Sequence, residues 1–390
     1  MRAPAWPQRR LPLAWFQLRR QPVKVLVAVL GQTMAGTLIF LQLGLLQALF
    51  DASVLLHRQL NADLVVLGRD SPALVNMQTF SSRRLAQAYG HPEVEAVAEL
   101  NIGAIPWRSP RTQAARSLLA VGLDPAQPAF LAPALAQELP ALNPLGRFLL
   151  DERARPEFAP MVERIRRGES VRLEVNGMRL TSAGLARVGT SFGVDGFVLM
   201  SQDTFRQLKP QEPRGGIELG LIQLRPGANP QQVQRELRAL LPRDVEVFTH
   251  QAYIQREFAY WARNTVAAFV LGLGALIGFL AGIMVVYQII YADVSDHLPE
   301  YATLMAMGYP LRQLAGTVVM EGLLLALLAI GPSLLGGELL YGVVRRVSLL
   351  PIAMTLSRAL FVFMALLVMA MASAFLCLGK LRDADPAEIF

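Results

Sequence analysis

The sequence predicts a membrane α-helical protein with four transmembrane helices and one large α+β domain, inserted between the first and second helix on the extracytoplasmic side. Composition is the first observation. Of 390 residues, 53% are hydrophobic and 17% charged, against about 25% charged in an ordinary soluble domain. The distribution of charge is the second. Residues 25–50, 264–292 and 359–379 carry no charge, and 313–337 carries only Glu321. A helix needs about 20 apolar residues to cross the hydrocarbon core of a bilayer, and all four stretches are long enough.

The chain opens with a basic segment, 1–24, holding six Lys or Arg and no acid. Most of the formal net charge of +7 therefore sits beside the first apolar stretch. Such a patch fixes topology and can touch anionic lipid. It has no aromatic-interleaved basic surface behind it, so nucleic-acid binding is excluded. The apolar run is too long for the core of a cleaved signal, and no A-x-A-like site follows it. With the N-terminus in the cytoplasm, 61–248 and 338–358 lie outside, and 293–312 and 380–390 lie inside. One feature runs against this: Arg345, Arg346 and Arg358 fall in the predicted outer loop.

Helix 1 is expected over 25–60, because Val54, Leu56 and Leu60 extend its apolar stripe without proline. At 1.5 Å per residue such a helix would reach beyond the hydrocarbon core of about 30 Å. Helix 2 is expected over 249–292, capped by Thr249, with 250–263 exposed before the bilayer. The two extensions would form a stalk or, alternatively, a pair of broken surface helices. Helices 3 and 4 are expected over 313–337 and 359–379.

The domain 61–248 reads as two β-α-β halves around an inserted block, 108–214. The first half has a strand at 62–67, a helix at 81–89 stopped by Gly90, and a strand at 93–107. The second has a strand at 217–224, then Asn229 as cap and Pro230 at the first helical position. The helix that follows places Val233, Leu237, Leu240 and Leu241 on one face, before a strand at 245–248. Asn176-Gly177 between alternating segments signals a hairpin in the block.

No Walker A pattern occurs, so the chain is not expected to hydrolyse ATP by that route. His57, His91, His250 and His297 lack metal-ligand spacing, and the single Cys377 lies in the last apolar stretch. Ser191 lies in Gly-Thr-Ser-Phe-Gly, out of register for a nucleophile elbow. No catalytic residue, metal site or bound cofactor is expected. Gly274, Gly278 and Gly282 recur every four residues, a ridge that lets helices approach closely. The ridge can serve the bundle of one subunit or a contact between two. Glu321 is the acid inside an apolar stretch, and such residues face protein or water. It can anchor the adjoining loop or take part in proton or substrate movement.

Residues 293–312 carry a short helix opening at Pro299, with Glu300 in its first turn. Tyr301, Leu304 and Met307 give it an apolar face, and Gly308 can end it. An exposed apolar face between two membrane spans needs a partner or a lipid surface to cover it.

Glu300-Tyr-Ala-Thr-Leu-Met-Ala-Met-Gly308, followed by Glu321, resembles the coupling-helix region of FtsX-like and MacB-like ABC permeases. The preceding Ser-Asp-His-Leu-Pro departs from the basic residue common there and is similar to the DevC permeases of cyanobacteria. So are 61–67, 155–160, 191–196, 349–355 and 383–390. The resemblance implies a MacB-like fold and a homodimer in the cytoplasmic (inner) membrane, with the large domain in the periplasm. It implies a non-catalytic subunit whose Glu300, Tyr301, Leu304, Met307 and Gly308 rest on a separate DevA-like ABC ATPase, which holds ATP and Mg. A DevB-like membrane-fusion protein and a TolC-like outer-membrane channel would complete a tripartite pump, driven by mechanotransmission and exporting glycolipid or another lipid-like cargo. The alternative within this resemblance is an FtsX-like regulator that signals to a periplasmic partner without transport.

Overall fold

The structure is a computed structural model that describes residues 19, 20, 22–108, 115–189, 193–211, 213, 215–307, 310–348 and 352–382. Its helices are α1 (Pro22–Ser53), α2 (Arg83–Tyr89), α3 (Pro133–Ala136), α4 (Ala159–Arg166), α5 (Gln202–Leu208), α6 (Pro230–Leu240), α7 (His250–Asn264), α8 (Val266–Asp296), α9 (Leu298–Ala306), α10 (Leu311–Ser348) and α11 (Leu356–Arg382). Its strands are β1 (Leu64–Gly68), β2 (Phe80–Ser81), β3 (Val94–Arg108), β4 (Ala115–Leu123), β5 (Arg147–Asp151), β6 (Arg172–Val175), β7 (Met178–Ala186), β8 (Phe197–Ser201), β9 (Gly216–Ile217), β10 (Leu219–Leu224) and β11 (Val245–Thr249). They fall into two compact units: a helical one from α1 as far as Gln47 with α8–α11, and an α+β one over Ala48–Thr265.

In the helical unit, α1, α8, α10 and α11 are each long and apolar enough to cross a membrane. Their outer faces are apolar, as on α8 at Phe269, Val270, Leu273, Ile277 and Leu280. Water would not support such faces, whereas lipid covers them. Inside the unit, small and polar residues let the backbones close in. Ser373 Oγ donates to Ile283 O at 2.7 Å, joining α11 to α8. Ser333 Oγ lies 2.7 Å from Ala329 O and 3.3 Å from Thr33 O, joining α10 to α1 beside Pro332. The helix α10 runs past residue 337 to Ser348, further than the apolar stretch alone indicates.

The α+β unit is built on a nine-stranded sheet in the order β11-β1-β10-β3-β4-β8-β5-β7-β6. In the run β11-β1-β10-β3 each strand is antiparallel to its neighbour, so β1 and β3, joined through α2, are parallel with β10 between them, and β10 and β11, joined through α6, are parallel with β1 between them, a split β-α-β arrangement. Leu85 and Ala88 of α2 and Val233 and Leu237 of α6 pack on Leu64, Val66, Ile222 and Val247 of one sheet face. Asn229 Oδ1 caps α6 by accepting from Gln231 N and Gln232 N. Leu240, expected on that buried face, is 58% exposed, and Leu241 beyond the helix end fills its place. The 15-residue strand β3 joins this half to the inserted block, pairing with β10 through 94–100 and with β4 through 101–108. The turn between β6 and β7 has Asn176 at φ 51° and Gly177 at φ 77°, the left-handed pair that a two-residue hairpin requires.

The proposed long stalk helix differs from what is observed. Helix α1 ends at Ser53, whose hydroxyl turns back to Phe50 O at 2.7 Å. The apolar stripe beyond Asp51 enters the core of the α+β unit instead: Leu56 and Leu60 are buried with Val65, Leu67 and Tyr253. Likewise α7 is a separate helix, broken from α8 at Thr265, where the backbone is extended. Its Tyr253, Glu257 and Trp261, one turn apart, are buried. The end of α1 and α7 do meet, with the Phe50 and Phe258 rings 5.9 Å apart.

Candidate functional site

The site expected at 293–312 is built on α9 and the ends of α8 and α10. His297 precedes α9, and its Nδ1 lies 2.9 Å from Asp293 O. Pro299 takes an early helical position, where its missing N–H costs nothing. Thr303 Oγ1 donates to Pro299 O at 2.9 Å. The helix is amphipathic, but its apolar side is already covered. Tyr301 is 1% exposed, Ala302 is fully buried, and Leu298, Leu304 and Met305 are partly buried among Val286, Ile290, Val294, Leu314 and Val318.

The expected contact face is thereby divided. Tyr301 is a seat that fixes α9 to α8 and α10, and Leu304 shares that role. The outward stripe is Pro299, Glu300, Thr303 and Met307, with Met307 63% exposed. Residues 300, 303 and 307 recur at helical spacing, so one exposed face carries an acid, a hydroxyl and a thioether. Gly308 lies outside the described residues, as do Ser191 and the sequence blocks at 349–351 and 383–390.

The glycine ridge is occupied inside the unit. A methyl group at Gly274 would come within 2.7 Å of Gln42 Nε2, at Gly278 within 3.0 Å of Leu38 Cδ2, and at Gly282 within 3.0 Å of Ala35 Cβ. Both α8 positions and α1 positions thus repeat at one-turn spacing, as two antiparallel helices in close approach require. Glu321, on α10, is buried beside the buried Asp293 of α8. Lys24 of α1 pairs with Asp296 at the same end.

Two further clusters escaped the sequence reading. In the α+β unit, buried Glu257 accepts from Trp261 Nε1 at 2.8 Å and from Leu74 N at 3.2 Å. It lies 3.6 Å from His57 Nε2, whose ring stacks on Tyr253 with centroids 4.3 Å apart. The spacing 253, 257, 261 was a usable signal, since an acid between two aromatics on one helical face points inward. In the helical unit, Arg358 Nη1 donates to Tyr341 OH at 3.2 Å and to Ala353 O at 2.7 Å, and Tyr341 OH donates to Phe40 O at 2.5 Å. Arg358 is thus buried against an aromatic and a carbonyl, not held out in the loop. The partner, Tyr341, is 17 residues away, so no local pattern reveals the pair.

Residues 267–386 match the family described as FtsX-like permease C-terminal. That span contains α8 but for Val266, and all of α9, α10 and α11, so the match covers the C-terminal part of the chain. Comparison with curated proteins gave no match. A solved structure, the crystal structure of the periplasmic region of MacB from Actinobacillus actinomycetemcomitans, aligns with a TM-score of 0.35 and 12% identity over 54% of this chain and 96% of that one.

Proposed function

We propose that the chain is the non-catalytic membrane subunit of an ABC-type export system, which receives the motion of a separate ATPase through α9. The observation that carries this is the geometry of α9. A short helix between two membrane spans has its apolar side locked into the bundle and leaves a defined outward stripe, Pro299, Glu300, Thr303 and Met307. A helix seated in this way moves with α8 and α10, so a push on its outer face reaches the membrane helices. The family match over 267–386 supports the same reading.

On this reading the chain sits in the inner membrane as a homodimer, with the α+β unit in the periplasm. Its partners are a DevA-like ATPase that binds ATP and Mg, a DevB-like membrane-fusion protein and a TolC-like channel. The cargo is lipid-like, a glycolipid in the DevC case. Affinity purification of the tagged chain from native membranes, followed by protein and lipid mass spectrometry, tests this. Recovery of an ABC ATPase in stoichiometric amount is expected. A folded, dimeric chain recovered without any ATPase would contradict it.

A further inference from the structure

Asp293 and Glu321 form a site that the coupling role of α9 does not use. Asp293 is 6% exposed and Glu321 is 4% exposed. Their carboxyl groups lie beside each other, and a hydrogen bond between two such groups requires a proton on one of them. No donor among the described residues reaches Asp293 Oδ2 or Glu321 Oε2, although both are buried. Buried polar atoms are ordinarily satisfied, and a proton shared between the two carboxyl groups would supply the missing donor. Asp293 belongs to α8 and Glu321 to α10, the two helices that flank α9 in the chain. Tyr301 of α9 is buried in the apolar cluster formed by the same helix ends.

The charged and titratable groups around the pair are few. Lys24 faces it from α1, with Asp296 as its ion partner. His297 Nδ1 stands 3.6 Å from Asp293 Oδ1. Tyr301 comes from α9, Tyr287 and Tyr291 come from α8, and Cys377 of α11 is buried in the same cluster.

We propose that Asp293 and Glu321 constitute a proton-binding site that clamps α8 to α10 and thereby holds α9 in its seat. With one proton bound, a carboxyl O–H donates to the neighbouring carboxylate and the helix ends are tied. When that O–H bond breaks, the proton passes to water at the exposed Lys24–Asp296 edge. Two carboxylates then face each other in a region of low dielectric, where like charges repel strongly. The helix ends part and α9 loosens. Intramembrane acids are retained for such roles because leaving them there is costly.

The test uses the full-length chain in detergent, without ATPase, so that it stands apart from the coupling assignment. Thermal midpoints are measured between about pH 6 and about pH 9, a range that spans the pKa values documented for buried carboxyls. The wild-type midpoint should fall as pH rises. The fall should vanish in Glu321→Gln, which keeps the hydrogen bond without the second charge, and persist in His297→Gln. In a Cys377→Ser background, the buried Ala302→Cys should label faster at high pH, and adding Glu321→Gln should remove that increase. If Glu321→Gln fails to fold, infrared spectra of the wild type decide: a protonated carboxyl band must titrate away over the same range. A flat wild-type profile, an unchanged slope in Glu321→Gln, or a slope set by sodium concentration at fixed pH would overturn the proposal.

Discussion

Replacing Glu257 with Ala tests the packing account of the α+β unit. The carboxylate accepts from two buried donors, Trp261 Nε1 at 2.8 Å and Leu74 N at 3.2 Å. Removing it orphans both, and each unsatisfied buried donor costs about 1–3 kcal/mol. Relief of the carboxylate's own desolvation offsets part of the loss, since a buried charge is expensive even when paired. The net expectation is about 2–4 kcal/mol of destabilisation. For a unit of roughly 200 residues this lowers the midpoint by about 5–15 °C. Glu257→Gln keeps one acceptor and should lose about half as much. The assay is thermal unfolding of the purified full chain followed by tryptophan emission, to which Trp261 contributes from within the cluster. An Ala variant that melts with the wild type would show that Glu257 is hydrated, and the cluster would then not join α7 to the segment at Leu74.

Three further outcomes follow from the same reasoning. Tyr253 OH is buried without a hydrogen-bond partner among the described residues, and burial holds its pKa well above the ordinary value. Tyr253→Phe should therefore be neutral or stabilising, by up to about 1–3 kcal/mol, in the same melting assay. Burial also raises the pKa of Asp151, despite backbone N–H bonds from Arg153, Val188 and Gly189. A raised folded-state value means that the folded form binds the proton more tightly, so stability is fullest below the unfolded value and falls as pH rises through the folded one; Asp151→Asn should flatten that segment of the stability–pH curve. Gly278→Leu would drive a side chain into Leu38 across the α1–α8 contact, an overpacking that costs about 1–3 kcal/mol, and should appear as reduced yield of dispersed protein on size exclusion.

Much of this architecture was legible in the sequence because the signals are local. Apolar runs of sufficient length, three of them free of charge and the fourth holding only Glu321, pointed to the four long apolar helices. Asn229-Pro230 and Asn176-Gly177 gave a helix start and a hairpin, since capping and left-handed turns demand those residues where they stand. What escaped depends on distant partners. Leu56 and Leu60 have helical spacing, but the strands they pack on come later in the chain, so periodicity alone could not tell a stalk face from a domain core. The same ambiguity affected α9: Tyr301 and Leu304 form an apolar face, and only the neighbouring helices show that the bundle already covers it. Glu321 stood out as an acid in an apolar run, whereas Asp293, at the end of a span, looked like an ordinary boundary charge until the fold placed it beside Glu321.

The central claim is that the outward stripe of α9 carries the ATPase contact and that its buried side does not. The most direct test measures binding and stimulation of the cognate ATPase by the reconstituted chain carrying Glu300→Ala and Met307→Ala together, with Leu240→Ala as control on an exposed site of the α+β unit. Truncating anchors at an interface commonly costs about 2 kcal/mol or more, which is roughly thirtyfold in affinity. The stripe variant should lose that much affinity, and its stimulation of ATP hydrolysis with it, while folding and inserting normally; the control should bind like wild type. Unchanged binding and stimulation by the stripe variant would contradict the account and leave α9 as a helix that does no more than close the end of the bundle.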